Sequence, residues 1–208
     1  PDGQGRLVVP AYREDTIHVF DGTQTEVDSF GGDWVDAPAG VEVGPDGRYY
    51  VADFYNHRFH ILAEDGTVEK SVGKKGKKPG QFTYPTDIEV TPEGTIWVAD
   101  AYAHRIQVFA ADGTHEKTIG RKGTDKPGRF HVATGIDRGP DGNLYVADFK
   151  NNRVQVLRPD GKPVAVIDGT GEGGGTMKHP TEVVATVDRL YVVDHGNHQV
   201  DVYARTGD

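Results

Sequence analysis

Apolar positions along this chain fall in short, in-phase bursts rather than in helical stripes. The clearest are PDGRYYVAD, PEGTIWVAD, PDGNLYVAD and VDRLYVVD, each a turn followed by an aromatic and β-branched run that stops at an aspartate. The closing acids Asp53, Asp100, Asp148 and Asp194 stand 47, 48 and 46 residues apart, and a fainter copy, GRLVVPA, puts Ala11 at the same place. A period of this length marks an architecture in which one supersecondary unit is copied and stacked.

Residues 85–120 serve as the reference copy. Four extended segments are expected, Thr86–Thr91, Thr95–Asp100, Arg105–Ala110 and Thr114–Ile119, joined by Pro92-Glu93-Gly94, residues 101–104 and Asp112-Gly113. The Asp-Gly pair tolerates the positive φ of a tight hairpin, so each copy reads as an antiparallel meander of strands A to D. Strand B is apolar on both faces, as in Ile96-Trp97-Val98-Ala99, and so needs a covering layer on each side. No helix-period segment supplies that cover, which leaves other copies of the same sheet. Radial stacking of such sheets gives the expected fold class, an all-β protein built as a β-propeller of four-stranded antiparallel blades. A parallel β-helix has shorter rungs and lacks these hairpin turns.

The whole chain, 1–208, reads as one propeller domain with repeats at about 1–32, 38–73, 85–120, 133–168 and 180–208. The first repeat lacks strand A and the last lacks strand D. Eighteen strands, or about four and a half blades, are therefore expected, and the domain reads as incomplete.

Composition narrows the function classes. Apolar residues make up 36% of the chain beside 28 Gly and 12 Pro, a turn-rich rather than disordered balance. No apolar stretch approaches the roughly 20 residues of a membrane-spanning helix. The formal charge of −9 argues against a general nucleic-acid binder. With no Cys there is neither a disulfide nor a thiolate metal site, and the redox compartment stays open.

Two connections between repeats are nonetheless strongly basic. Lys74, Lys75, Lys77 and Lys78 occupy one; Arg121, Lys122, Lys126 and Arg129 occupy the matching stretch of the next repeat. Meander geometry puts both on the loop-rich end of adjacent blades, a polarised surface suited to an acidic protein partner. The recurrent Asp53 with Arg58, Asp100 with Arg105, Asp148 with Arg153, and Asp194 read as structural, since an enzyme does not need one active site per blade. Their carboxylates are expected to accept backbone N–H bonds from the B-to-C turn and to pair with the arginines. Positions that differ between repeats are more telling. Asp87, His131, His179 and Glu182 fall around the expected mouth of the central channel, where carboxylates and imidazoles could hold calcium or zinc. The Gly-Gly-Gly run at 173–175 lacks the Lys-Ser/Thr of a phosphate-binding loop.

Pro79-Gly80-Gln81-Phe82, Pro85-Thr86-Asp87-Ile88, Val98-Ala99-Asp100 and His104-Arg105-Ile106-Gln107-Val108-Phe109 together resemble the NHL repeat, and Asn56-His57-Arg58 shows the letters behind that name. The resemblance runs over nearly the whole chain, weakening in the first repeat, and implies six blades in the full protein. It also implies an enzymatic branch, the peptide-amidating lyases and gluconolactonase-like hydrolases, with a metal near the axis. The lyases carry a His directly after the Pro that begins strand A; here those places hold Ala39, Thr86, Thr134 and Thr181. The sequence therefore reads as a non-catalytic scaffold or binding module needing no cofactor, with a calcium- or zinc-dependent lyase or hydrolase as the alternative. Bacterial propellers of this type are often exported, so the resemblance favours a periplasmic or extracellular location over a cytoplasmic one.

Overall fold

A computed structural model describes residues 4–170 and 175–205. Thr206-Gly207, where the last repeat reads as stopping before strand D, and two glycines of the 173–175 run lie outside these residues. Five antiparallel sheets follow one another along the chain. The first holds β1 (Leu7–Ala11), β2 (Thr16–Phe20) and β3 (Glu26–Gly31). The second holds β4 (Pro38–Val43), β5 (Tyr49–Asp53), β6 (Arg58–Leu62) and β7 (Val68–Val72). The third runs through β8 (Pro85–Val90), β9 (Ile96–Asp100), β10 (Arg105–Phe109) and β11 (His115–Ile119). In the fourth are β12 (Ala133–Arg138), β13 (Leu144–Asp148), β14 (Arg153–Leu157) and β15 (Pro163–Ile167). The fifth has β16 (Pro180–Ala185), β17 (Arg189–Asp194) and β18 (Gln199–Ala204). Each sheet keeps its strands in chain order, so the fold is a β-propeller of meander blades.

Eighteen strands are present among the described residues, with three in each end sheet, as the repeat pattern predicts. In the reference copy the boundaries fall within one residue of those expected. Two compact bodies can be distinguished, one of residues 1–98 and 107–117, the other of 99–106 and 118–208.

The burial pattern explains the repeated apolar runs. Strands β5, β9, β10, β13 and β14 are buried at every position, whereas the outer strands β7 and β15 are mostly exposed. In the first body Tyr50, Phe59, Ile61, Phe82, Ile88, Val98 and Phe109 share one core cluster. In the second, Tyr145, Val154, Met177, Val183, Leu190 and Val192 do the same. Of the four repeated aromatics in strand B, Tyr50, Trp97 and Tyr145 are buried, but Tyr191 is exposed together with Val193, Val200 and Val202 of the same sheet.

The hairpin turns follow from aspartate chemistry. Asp46, Asp65, Asp112, Asp141 and Asp160 each accept, through Oδ1, the backbone N–H two residues on, at 2.8–3.2 Å. That bond replaces a missing ladder bond and fixes the turn. At the opposite end, the B-to-C turns of the last three sheets are short 3₁₀ segments closed by a left-handed residue, His104, Asn152 or His198. Strand A slips register near its start in the second, fourth and fifth sheets, after Pro38, Ala133 and Pro180. Such a bulge re-aims the side chains that follow it.

Candidate functional site

The two basic connections are built to one plan. In the first body, residues 74–82 curl so that the Phe82 N–H donates to the Lys74 carbonyl at 2.9 Å and the Gly76 N–H to the Phe82 carbonyl at 2.9 Å. In the second, the Phe130 N–H donates to Arg121 at 2.9 Å and Gly123 to Phe130 at 3.0 Å. Phe82 and Phe130 are fully buried. Their rings lie over Gly73 and Gly120, where any Cβ would collide with them. A strand C glutamine then clamps each loop. Gln107 Oε1 accepts from the Gly80 N–H at 2.9 Å while its Nε2 donates to the Gln81 carbonyl at 2.8 Å. Gln155 Oε1 accepts from the Gly128 N–H at 2.8 Å while its Nε2 donates to the Arg129 carbonyl at 2.7 Å.

On these rigid bases the cations face outward. Lys74, Lys75, Lys77 and Lys78 are exposed on the first loop; Arg121, Lys122 and Lys126 are exposed on the second. Arg129 is half-buried and lies 3.6 Å from Asp125.

The recurrent aspartates occupy fully buried positions. Asp148 is representative: its Oδ1 accepts from the His131 N–H at 2.7 Å, and its Oδ2 accepts from Asn151 Nδ2, Arg153 Nε and Gln155 Nε2 at 2.8–2.9 Å. Asp53 takes the Asp36 N–H together with Asn56 and Arg58, and Asp194 takes the Lys178 N–H together with Asn197. Asp100 accepts from Arg105 Nε at 2.8 Å. The backbone donors to Asp53, Asp148 and Asp194 thus come from the loop entering strand A, not from the B-to-C turn the sequence pointed to. The carboxylate ties that loop to its own blade, and the arginine reaches past it to loop carbonyls, Trp34 for Arg58 and Lys126 and Arg129 for Arg153.

A second latch joins consecutive repeats. Asp15, His57, His104 and Asn152 all have positive φ, and each aims a side-chain acceptor at the backbone N–H of Ala37, Tyr84, Val132 and His179 in turn, at 2.8–3.2 Å. Those four recipients are themselves left-handed. Because His57 and His104 accept through Nδ1, each must be neutral with its proton on Nε2. Burial, and then the Lys75 charge, hold the His57 pKa below the ordinary imidazole value.

The four expected metal ligands are distributed differently. In the second body the His131 ring lies edge-on to His104 at 5.4 Å, and His179 stacks on Phe149 at 4.7 Å. Glu182 follows the β16 bulge, folds over Gly135 and accepts the Val183 N–H at 2.9 Å. Burial pushes its carboxyl up to about 7, and the neighbouring Asp137 charge adds to this. Asp137 is itself raised by burial, although its Oδ2 accepts the Ala185 N–H at 2.6 Å. In the first body the Asp87 carboxylate lies over Gly40, where a Cβ would come within 2.6 Å of Oδ1. Among the described residues no three of His, Cys, Asp and Glu converge as metal ligands.

Gln107, Gln155 and the left-handed latches were missed from sequence. The signal was present in the repeated Arg-x-Gln at 105–107 and 153–155, whose buried glutamines require partners. In the second sheet His60 stands at the glutamine's place.

No helix among the described residues is long and apolar enough to cross a membrane. A virginiamycin B lyase from Staphylococcus aureus superposes with a TM-score of 0.72 at 16% identity, covering 97% of this chain and 67% of that one. A Bacteroides caccae protein of unknown function gives 0.74 at 12% identity, over 98% and 75%. The WD40 propeller domain of Doa1 gives 0.73 at 11% identity, over 97% and 61%. These identities show a shared fold alone. No curated protein matches the chain. The NHL repeat model matches residues 36–62, 82–109 and 130–157, the second, third and fourth blades, and the chain belongs to the NHL-repeat β-propellers.

Proposed function

We propose that this propeller is a binding module that recognises an acidic protein segment through its basic inter-blade loops. The observation that carries the reading is the preorganised loop itself: a buried Phe plug and a glutamine clamp hold the backbone of 74–82, so that four exposed lysines are presented from a backbone already ordered at the moment of contact. The loop at 121–130 repeats the device. Charges arranged this way favour fast, salt-sensitive association.

The test is binding of a labelled poly-glutamate peptide, followed by fluorescence anisotropy. Affinity is expected to fall as salt rises, and to drop at least about ten-fold when Lys74, Lys75, Lys77 and Lys78 are changed to Glu. Equal affinity of the reversed variant would reject the reading.

A second reading is favoured by the Asp137 and Glu182 carboxylates, two half-buried acids on neighbouring A strands of the second body, both held above the ordinary carboxyl value. The pair would serve a calcium- or zinc-dependent lyase or hydrolase, and a virginiamycin B lyase shares the fold. Stoichiometric metal in the purified protein, lost on Glu182→Gln, would move the assignment there.

A further inference from the structure

We propose that Ser71, His60 and Asp53 form a hydrolytic relay in the second blade, with Ser71 as a nucleophile toward small activated esters. The imidazole of His60 is buried and bridges the other two: Nε2 lies 2.8 Å from Asp53 Oδ2, and Nδ1 lies 2.9 Å from Ser71 Oγ. Burial alone would raise the Asp53 carboxyl, but bonds from His60, Asp36 N–H, Asn56 and Arg58 outweigh it and hold the group below its ordinary value. An ionised Asp53 only accepts, so it fixes the imidazole proton on Nε2. Nδ1 is then left with a lone pair facing the Ser71 hydroxyl. This is the acid-imidazole-hydroxyl order of a nucleophile, base and orienting group, with the two ring nitrogens exchanged relative to the usual triad.

Two structural departures from the neighbouring repeats create the arrangement. The first is at strand C, where His60 replaces the clamping glutamine. The second is the loop. Six residues connect β3 to β4, against twelve between β7 and β8 and thirteen between β11 and β12. The loop segment that Gln107 and Gln155 hold has no counterpart ahead of the second blade, so the second ring nitrogen of His60 turns to the outer strand instead. Ser71 sits directly across from His60 in the ladder and is exposed, while Trp34 packs edge-on against the imidazole at 4.9 Å. Elsewhere the set is broken. Gln155 faces Val166. In the first sheet His18 faces Ser29, but Ala11 stands at the aspartate's place and His18 is turned to Glu14 and Glu26.

In the reaction Ser71 Oγ adds to the ester carbonyl carbon as its proton passes to Nδ1. The adduct collapses, the C–O bond to the leaving group breaks, and the departing alkoxide recovers that proton from His60. Water then attacks the acyl-serine by the same transfers in reverse order and releases the carboxylic acid. The exposed position of Ser71 on β7 suits a short acyl group on a good leaving group.

The experiment is acylation by 4-nitrophenyl acetate and labelling by an alkyl fluorophosphonate, both mapped by peptide mass spectrometry. The wild type should carry a single adduct on Ser71. Ser71→Ala should abolish the adduct. His60→Gln installs the residue that the third and fourth blades use at this position, so it keeps the fold, as a thermal melt will check. It should slow labelling by about 10²-fold or more, the usual share of a general base. No adduct on Ser71 in the wild type, or one formed equally fast in His60→Gln, overturns the proposal.

Discussion

Replacing Asp148 by Ala tests whether the recurrent aspartate is the structural centre of its blade. The carboxylate is fully buried and serves four donors, of which Arg153 is 9% exposed and Gln155 is fully buried. Removing it leaves a nearly buried guanidinium with only the carbonyls of Lys126 and Arg129, and it frees the His131 N–H that anchors the loop. Breaking a buried ion pair from one side costs about 3–5 kcal/mol, because the remaining charge is uncompensated. For a domain of this size that corresponds to a fall in Tm of roughly 10 °C. Urea unfolding followed by tryptophan fluorescence and circular dichroism measures it, with Glu116→Ala at an exposed position of β11 as the control, expected within about 0.5 kcal/mol. Adding Arg153→Met to Asp148→Ala should recover part of the loss, since no charge is then stranded. A loss below about 1 kcal/mol, or no recovery in the double variant, would refute the assignment of this aspartate as an obligatory partner.

Phe82→Ala empties a buried ring site beneath the first basic loop and should cost about 3–5 kcal/mol in chemical denaturation, while releasing residues 74–82 to proteolysis. His57 must be neutral to accept from the Tyr84 N–H, and its pKa is depressed in the folded state. Its stabilising contribution is therefore present above the ordinary imidazole value and lost as pH falls through the folded one. His57→Asn, the residue that performs this task at position 152, should flatten that part of a stability-pH curve. Glu182 works in the opposite sense: with its folded pKa raised to about 7, its contribution is complete below the ordinary carboxyl value and disappears as pH climbs toward neutrality. Glu182→Gln should remove that decline, and an unchanged curve would contradict the burial argument.

Much of the fold was legible in the sequence because its physics is local. A run such as Ile96-Trp97-Val98-Ala99 between turn residues can only be a strand covered on both faces, and Asp112-Gly113 specifies its own hairpin. The basic loops were equally visible as composition. What held those loops was not, since Gln107 reaches residues 26 and 27 positions away, and only the folded chain brings them together. Aligning repeats gave His131 and His179 neighbouring positions but no rotamer. Their rings turn instead to His104 and Phe149, contacts that no periodicity encodes. Likewise, the positive φ of Tyr84 and Val132 is disfavoured for bulky residues, so propensity argues against the conformation that the latches enforce.

Those latches also explain why the repeats could drift. The junction asks for one lone pair at a fixed height, and Asp15, His57, His104 and Asn152 all provide it from different functional groups. The letters of the motif are therefore a record of interchangeable acceptors rather than of retained chemistry. A copy can exchange aspartate for histidine or asparagine without losing its geometry, and the family's sequence signature can fade while its architecture persists.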